Sequence, residues 1–231
     1  MKRCKTHLVR VCMFLLASVP AYCQRGTFGI DIGQTSDKFD ALSSVSGLEV
    51  GIDGQVTVIK GKQNGPSVVA GGEIRLPSDT ANHSREYAVF GGLRFHTRDL
   101  SIGFNAQVRK IVLPTANVDN QFFNRYTLEM LEIPVVLKYN FLTSKRAFVE
   151  VQGAPEFTPR FRKSSSLITL AHPNWDHGYF LRGSAGYTFG LWYAKVTYEN
   201  RYFKFVADPG NPNNLYNWKS NLISGGVGFS F

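Results

Sequence analysis

The chain has 231 residues, 43% hydrophobic and 19% charged, with a formal net charge of +9 and only three cysteines. All three, Cys4, Cys12 and Cys23, fall in the first 23 residues. The remainder therefore has no disulfide framework, thiol nucleophile or cysteine metal site. The basic balance forms no stripe of the kind that binds nucleic acid, and no nucleic-acid partner is expected.

Lys2, Arg3, Lys5 and Arg10 precede a short apolar run, Val11 to Val19, and Ala21 and Cys23 are small residues two apart. That layout is a secretory signal peptide cleaved after Cys23, so residues 1–23 are expected to be removed. The apolar run is about half the ~20 residues that a spanning helix needs. Removing 23 of 231 residues leaves 208, and taking four basic residues from +9 leaves +5. Residues 24–231 contain no linker, low-complexity tract or second apolar run of helical span, and are expected to form one domain.

From there alternation with a period of two dominates. In Leu48 to Val58 the even positions are apolar or Gly, and the odd ones are Glu49, Gly51, Asp53, Gln55 and Thr57. Leu100 to Val108 and Leu131 to Phe141 follow the same rule. The pattern predicts ten strands, near 26–35, 47–60, 67–76, 86–97, 100–113, 125–141, 146–158, 178–189, 191–205 and 220–231. Their connections alternate strictly. Long polar ones span 36–46, 77–85, 114–124, 159–177 and 206–219; short ones span 61–66, 98–99, 142–145 and residue 190. An up-and-down meander with one long-looped rim and one tight rim has this rhythm. It is the signature of a bacterial outer-membrane barrel.

The fold expected is therefore all-β, a closed antiparallel up-and-down transmembrane β-barrel of ten strands. One face of the sheet is apolar and would meet lipid. The other carries Glu49, Asp53, Glu73, Arg75, Arg94, Arg109, Glu132, Lys138, Glu150, Arg182, Lys195, Glu199 and Arg201. Both signs occur, so these side chains are expected to pair across a narrow lumen. A soluble ligand-binding barrel would invert the two faces. Against it stand outward glycines and an alanine, Gly72, Gly91, Gly153, Gly183 and Ala185, which fill a core poorly. Aromatic residues also gather near strand ends. Phe141, Phe189, Trp192 and Tyr193 lie by the short turns; Phe122, Phe123, Tyr126, Tyr179, Tyr202, Phe203, Tyr216 and Trp218 lie by the long loops. Two interfacial girdles are expected from them.

The segment Met130-Leu131-Glu132-Ile133-Pro134-Val135-Val136-Leu137-Lys138-Tyr139 resembles the "LEIP…KY" strand of PorT-type outer-membrane β-barrel proteins, and Gly153-Ala154-Pro155 resembles the Gly-x-Pro of the strand that follows it. The resemblance covers roughly 86–231. It rests on Leu131, Glu132, Ile133, Pro134, Lys138 and Tyr139. The family's usual core has eight strands, which makes eight the alternative and leaves 26–60 as an extra hairpin or a plug. Bulges or kinks are expected at Pro134 and Pro155, which lack a ladder donor. The closing strand, with Phe229 and Phe231, resembles the carboxy-terminal signal that the barrel-assembly machinery recognises. The implied partners are outer-membrane lipid, lipopolysaccharide and that machinery.

Loop residues Asp176 and His177, beside Trp175 and near His172, are the candidates for a general base at the rim. Asp79 and His83 lie in another loop, and Asp208 in a third. No rim motif accompanies the pair, and two loop histidines without further ligands do not make a metal site. No cofactor is expected. The role expected is structural, adhesive or one of envelope interaction through the long loops. A narrow passive pore is the first alternative and a rim hydrolase acting on lipid or peptide the second.

Overall fold

A computed structural model describes residues 25–39, 44–60, 65–79, 83–112, 117–118, 121–122, 126–141, 146–163, 177–206 and 215–231. The elements in chain order are β1 (Arg25–Phe39), β2 (Val45–Ile59), β3 (Pro66–Pro77), β4 (Arg85–His96), β5 (Leu100–Val112), β6 (Asn117–Val118), β7 (Gln121–Phe122), β8 (Tyr126–Glu132), β9 (Val135–Phe141), β10 (Ala147–Lys163), β11 (His177–Phe189), β12 (Trp192–Val206) and β13 (Leu215–Ser230). The alternation that marks each segment becomes an alternation of outward and inward side chains.

The strands pair antiparallel with their neighbours, and β1 pairs with β13 from Thr27↔Ser230 to Phe39↔Trp218. One residue further, Gly26 N–H donates to the Phe231 carbonyl at 2.8 Å and Phe231 N–H to the Gly26 carbonyl at 2.9 Å. The sheet is thereby closed and has no free edge, the condition for a sheet surrounded by hydrocarbon. β8 and β9 are two halves of one wall strand: both pair with β5 on one side and β10 on the other. The wall thus has ten strands, and the short β6–β7 pair lies outside it. Segment 26–60, which the eight-strand alternative left as extra hairpin or plug, is part of the wall as β1 and β2.

The break between β8 and β9 falls at Ile133 and Pro134. Gly153 pairs with Val135 and Glu156 with Glu132, so Ala154 and Pro155 face the break. Two prolines, each without an N–H, therefore share one gap in the ladder. The Pro134 carbonyl still accepts from Asn105 N–H on β5 at 3.0 Å. Pro155 does not interrupt β10. The irregularity expected there lies further on, between Phe157 and Arg160.

The first long connection is shorter than the alternation predicts. β1 runs to Phe39 and β2 starts at Val45, because Asp37 and Ser36 still pair with Val45 and Ser46. On the opposite rim, β11 and β12 are joined by Gly190 and Leu191 alone, and Gly190 has φ +66°. An added Cβ there would meet nothing within 4 Å. Gly190→Ala is therefore a pure backbone test. It should destabilise the barrel by about 1 kcal/mol in reversible urea unfolding from lipid vesicles.

The outer face is an apolar belt. Ile30, Ile32, Ile52, Val89, Ile102, Leu137, Val196 and Ile223 are among its exposed residues. A continuous surface of this kind exceeds what a water-soluble monomer shows. At the short-turn rim the belt ends in aromatic contacts, Phe229 with Phe28 at 5.8 Å, with Phe231 at 5.7 Å and with Trp192 at 6.0 Å between ring centroids. At the long-loop rim the Tyr179 and Tyr202 rings meet at a tilt, 5.8 Å between centroids. The girdles expected from sequence need correction. Phe203 and Trp218 are fully buried and Tyr193 nearly so, because each has the inward parity of its strand. The side chains of Phe122, Phe123, Tyr126 and Tyr216 lie outside the described ones.

Candidate functional site

The interior has three tiers. Toward the long loops is an apolar and aromatic tier of Ile111, Leu128, Phe203 and Trp218, all buried, with Met130 and Leu222 paired beside Arg109 and Glu199 of the next tier. Over the apolar tier lies His83, from the β3–β4 connection. Its Nδ1 is 3.3 Å from Asp37 Oδ2 on β1. Asp37 also accepts from Ser84 N–H at 3.1 Å and from Trp218 Nε1–H at 3.3 Å. One carboxylate thus ties the connection to strands β1 and β13 across the closing seam.

The hydrogen bond to Asp37, with that carboxylate's charge behind it, holds the His83 imidazole above its ordinary pKa. A raised value means that protonation and folding support each other. The stabilisation is complete below the unfolded-state value near 6.5 and is lost as pH rises through the folded-state value. His83→Gln should therefore cost more stability at pH 5.5 than at pH 9. Urea unfolding of both proteins at the two pH values checks this; an equal or reversed difference would sink it.

The middle tier is an ion-paired plug. Arg75 meets Glu49 at 3.4 Å, Glu199 at 3.1 Å, and Glu73. Arg182 meets Glu73 at 2.7 Å and Glu199 at 2.6 Å. Arg109 meets Glu86 at 2.7 Å, Glu132 at 3.1 Å and Glu73 at 3.5 Å. Arg201 meets Glu156 and Glu199 at 3.4 Å and Glu86 and Glu132 at 3.6 Å. Gln107 Nε2–H donates to Glu132 at 2.7 Å. The Phe180 ring sits among three guanidiniums, with Arg201, Arg182 and Arg109 carbons 5.0, 5.2 and 5.5 Å from its centroid. This geometry suits cation–π attraction.

Below the plug, toward the short turns, the lumen widens to a cavity of about 370 Å³. Lys195 Nζ meets Asp53 at 2.7 Å on one wall. Arg94 and Lys138 lie on the opposite wall, with Glu150 and Gln152 beside them.

The thirteen charged residues singled out from sequence all lie on inward faces. Glu49, Glu73, Arg75, Arg109, Glu132, Arg182, Glu199 and Arg201 come together in the plug. Asp53, Arg94, Lys138, Glu150 and Lys195 line the cavity. Glu86 and Glu156, both buried plug members, and Asp31 and Asp37 were missed. A signal for them existed: Glu86 has the parity of Arg94, and Glu156 that of Glu150. Of the PorT-like motif, Leu131, Ile133 and Tyr139 face outward and Glu132 and Lys138 inward. Phe229 and Phe231 are exposed at the short-turn rim. His177 opens β11 at the long-loop rim and is exposed. Asp176 and His172 lie outside the described residues.

A closed ten-stranded barrel with an apolar belt outside and an ion-paired interior defines a membrane-type β-barrel. Comparison with known proteins agrees at the level of fold. The chain is similar to the solved structure of the outer-membrane protease OmpT from Escherichia coli, with a TM-score of 0.55 and 11% identity over 90% of this chain and 97% of that one. It also matches Neisserial surface protein A, with a TM-score of 0.43 and 12% identity over 89% and 97% of the two chains. A third match is Ail, the attachment invasion locus protein of Yersinia pestis, with a TM-score of 0.30 and 9% identity over 89% and 99%. No family model and no curated protein matches the chain.

Proposed function

We propose that this chain is an integral outer-membrane barrel with a sealed interior, acting as a non-catalytic anchor that presents its long loops for a structural, adhesive or envelope-interaction role. The observation that carries the reading is the plug. Arg109, Arg201, Glu132, Phe203 and Trp218 are all at most 1% exposed, so side chains fill the barrel on the long-loop side of the cavity. Side-chain filling is the ordinary state of narrow barrels. It argues against the passive-pore alternative.

In this reading the belt meets outer-membrane lipid, with lipopolysaccharide around the long loops. The short turns and both chain ends face the periplasm. The strand ending in Phe229 and Phe231 serves as the recognition element for the barrel-assembly machinery. The sequence match at Leu131, Glu132, Ile133, Pro134, Lys138 and Tyr139 is the basis for proposing PorT-type kinship.

Two measurements test the reading. Unboiled protein from an outer-membrane fraction should migrate faster on a detergent gel than boiled protein. Purified protein in planar bilayers should give no steady single-channel conductance. A single band from a soluble fraction would overturn the membrane assignment, and regular conductance steps would replace the anchor by a pore.

A further inference from the structure

Arg94 differs from every other buried arginine of the described lumen. Arg75, Arg109, Arg182 and Arg201 each meet two or more carboxylates. Arg94 is as buried, at 6% exposure, yet among the described residues it meets no carboxylate. Its Nη1 donates to Asn105 Oδ1 at 2.7 Å, and lies near the Leu93 and Phe104 carbonyls at 3.1 and 3.4 Å. All three are neutral. A buried cation with only neutral partners is costly, and an anion offsets that cost.

The side chain is held in place. It lies flat over Gly103 on the neighbouring strand, where an added Cβ would stand 2.7 Å from Arg94 Cδ and 3.0 Å from Nη1. Gly103 pairs with Val136 on β9, and two pairs further Ser101 faces Lys138. Lys138 therefore stands on the strand next to the one that Arg94 crosses. It too forms no ion pair among the described residues; its ammonium rests 4.3 Å from the Phe148 ring centroid. Glu150 is directly across from Lys138, but its Oε1 is engaged by Gln152 Nε2–H at 2.6 Å. It reaches neither cation at ion-pair distance.

Two cations with no ion pair among the described residues thus share one wall of a cavity of about 370 Å³, with the Glu150 carboxylate beside them at longer range; the volume is within the size range of small-molecule sites. Phe90, Val69, Val136 and Phe148 supply apolar lining around them. Thr57, His96, Asn140, Thr188 and Ser230 also line it, and these stand near the short-turn ends of their strands. The cavity therefore extends toward that rim, away from the plug.

We propose that this cup binds a small organic anion, a carboxylate or phosphate group carried on a compact apolar body, with Arg94 and Lys138 as the partners of the charged group. The site takes its ligand from the short-turn side. It needs no conduction through the barrel, so it stands whether or not the loops act as proposed above.

The test uses the full chain folded in detergent micelles, with folding of every variant verified by gel heat-modifiability. Benzoate and phenyl phosphate are titrated by calorimetry, with benzylamine as the cationic counter-probe. Wild type should bind at least one anion saturably and benzylamine not at all. Arg94→Gln and Lys138→Gln should each weaken anion binding on the order of tenfold, the loss of one charge-assisted contact. Lys219→Gln, exposed beside Tyr202 and outside the cavity, should change it little. If Arg94→Gln does not fold, Lys138→Gln and Lys138→Glu carry the test, since Lys138 makes no ion pair among the described residues whose loss would harm folding. No saturable binding of either anion up to about 10 mM, a range that would register even very weak sites, overturns the proposal. So does anion binding unchanged in the Lys138 variants, or benzylamine binding as tightly as benzoate. A protein that shows heat-modifiability and conducts no current, yet binds neither anion, would refute the cup while leaving the anchor reading intact.

Discussion

Arg109→Met should be among the most damaging single substitutions in this protein, costing about 3–5 kcal/mol, whereas Glu156→Gln should be close to neutral or stabilising. The asymmetry comes from the composition of the plug. Its described members are six carboxylates, Glu49, Glu73, Glu86, Glu132, Glu156 and Glu199, and four guanidiniums, Arg75, Arg109, Arg182 and Arg201. Removing Arg109 strips Glu73, Glu86 and Glu132 of a partner at once and deepens the acidic excess. Breaking a buried pair from one side leaves uncompensated charge, which is where the large cost arises. Glu156 stands differently. Neither of its oxygens has a hydrogen bond among the described residues, and its ion pair to Arg201 Nε spans 3.4 Å. It also sits directly opposite Glu132, a second acid at full burial, and two acids so placed do not both ionise. The neutral isostere therefore leaves the charge balance of the plug intact and keeps the volume. Reversible urea unfolding from vesicles measures both changes. A large loss in Glu156→Gln, or a loss under about 1 kcal/mol in Arg109→Met, would refute this account of the plug.

The plug also shows which parts of the molecule the sequence could reveal. Inward charge is legible because lipid excludes it: on a strand whose other face is apolar, each Glu or Arg reports its own orientation. Parity alone therefore placed Arg109, Glu132 and Arg201 on inward faces. Partners were not legible. Arg182 and Glu73 are 109 residues apart and meet only because the barrel curls their strands toward each other. The apolar tier was illegible for the opposite reason. Phe203 and Trp218 read as girdle aromatics because an aromatic residue near a strand end suits either face; only strict parity with Arg201 and Ser220 distinguishes them. Proline had a similar ambiguity. Pro134 and Pro155 each looked like an independent kink, yet their juxtaposition in one gap spares the second strand.

The outward face makes the larger claim, and it too has a quantitative consequence. Val89 lies near the middle of β4 and is 64% exposed. If the belt meets lipid, Val89→Arg places a guanidinium near the hydrocarbon midplane, and the cost should be about 2–4 kcal/mol. Leu191 is as exposed, at 68%, but it lies in the β11–β12 turn. There an arginine reaches the interface, so Leu191→Arg should cost about 0–1 kcal/mol. The pair matters because neither substitution disturbs packing inside the barrel. A difference between them reports depth in the surrounding medium and nothing about the plug. For a barrel in water, an exposed Val→Arg change lies within about 0.5 kcal/mol at either position. Unfolding free energies measured in vesicles should therefore rank wild type and Leu191→Arg together, with Val89→Arg well below. Equal values for the two variants would mean that the apolar belt does not face hydrocarbon. The covering of so large an apolar surface would then have to come from another protein, and the anchor reading would fall with the membrane.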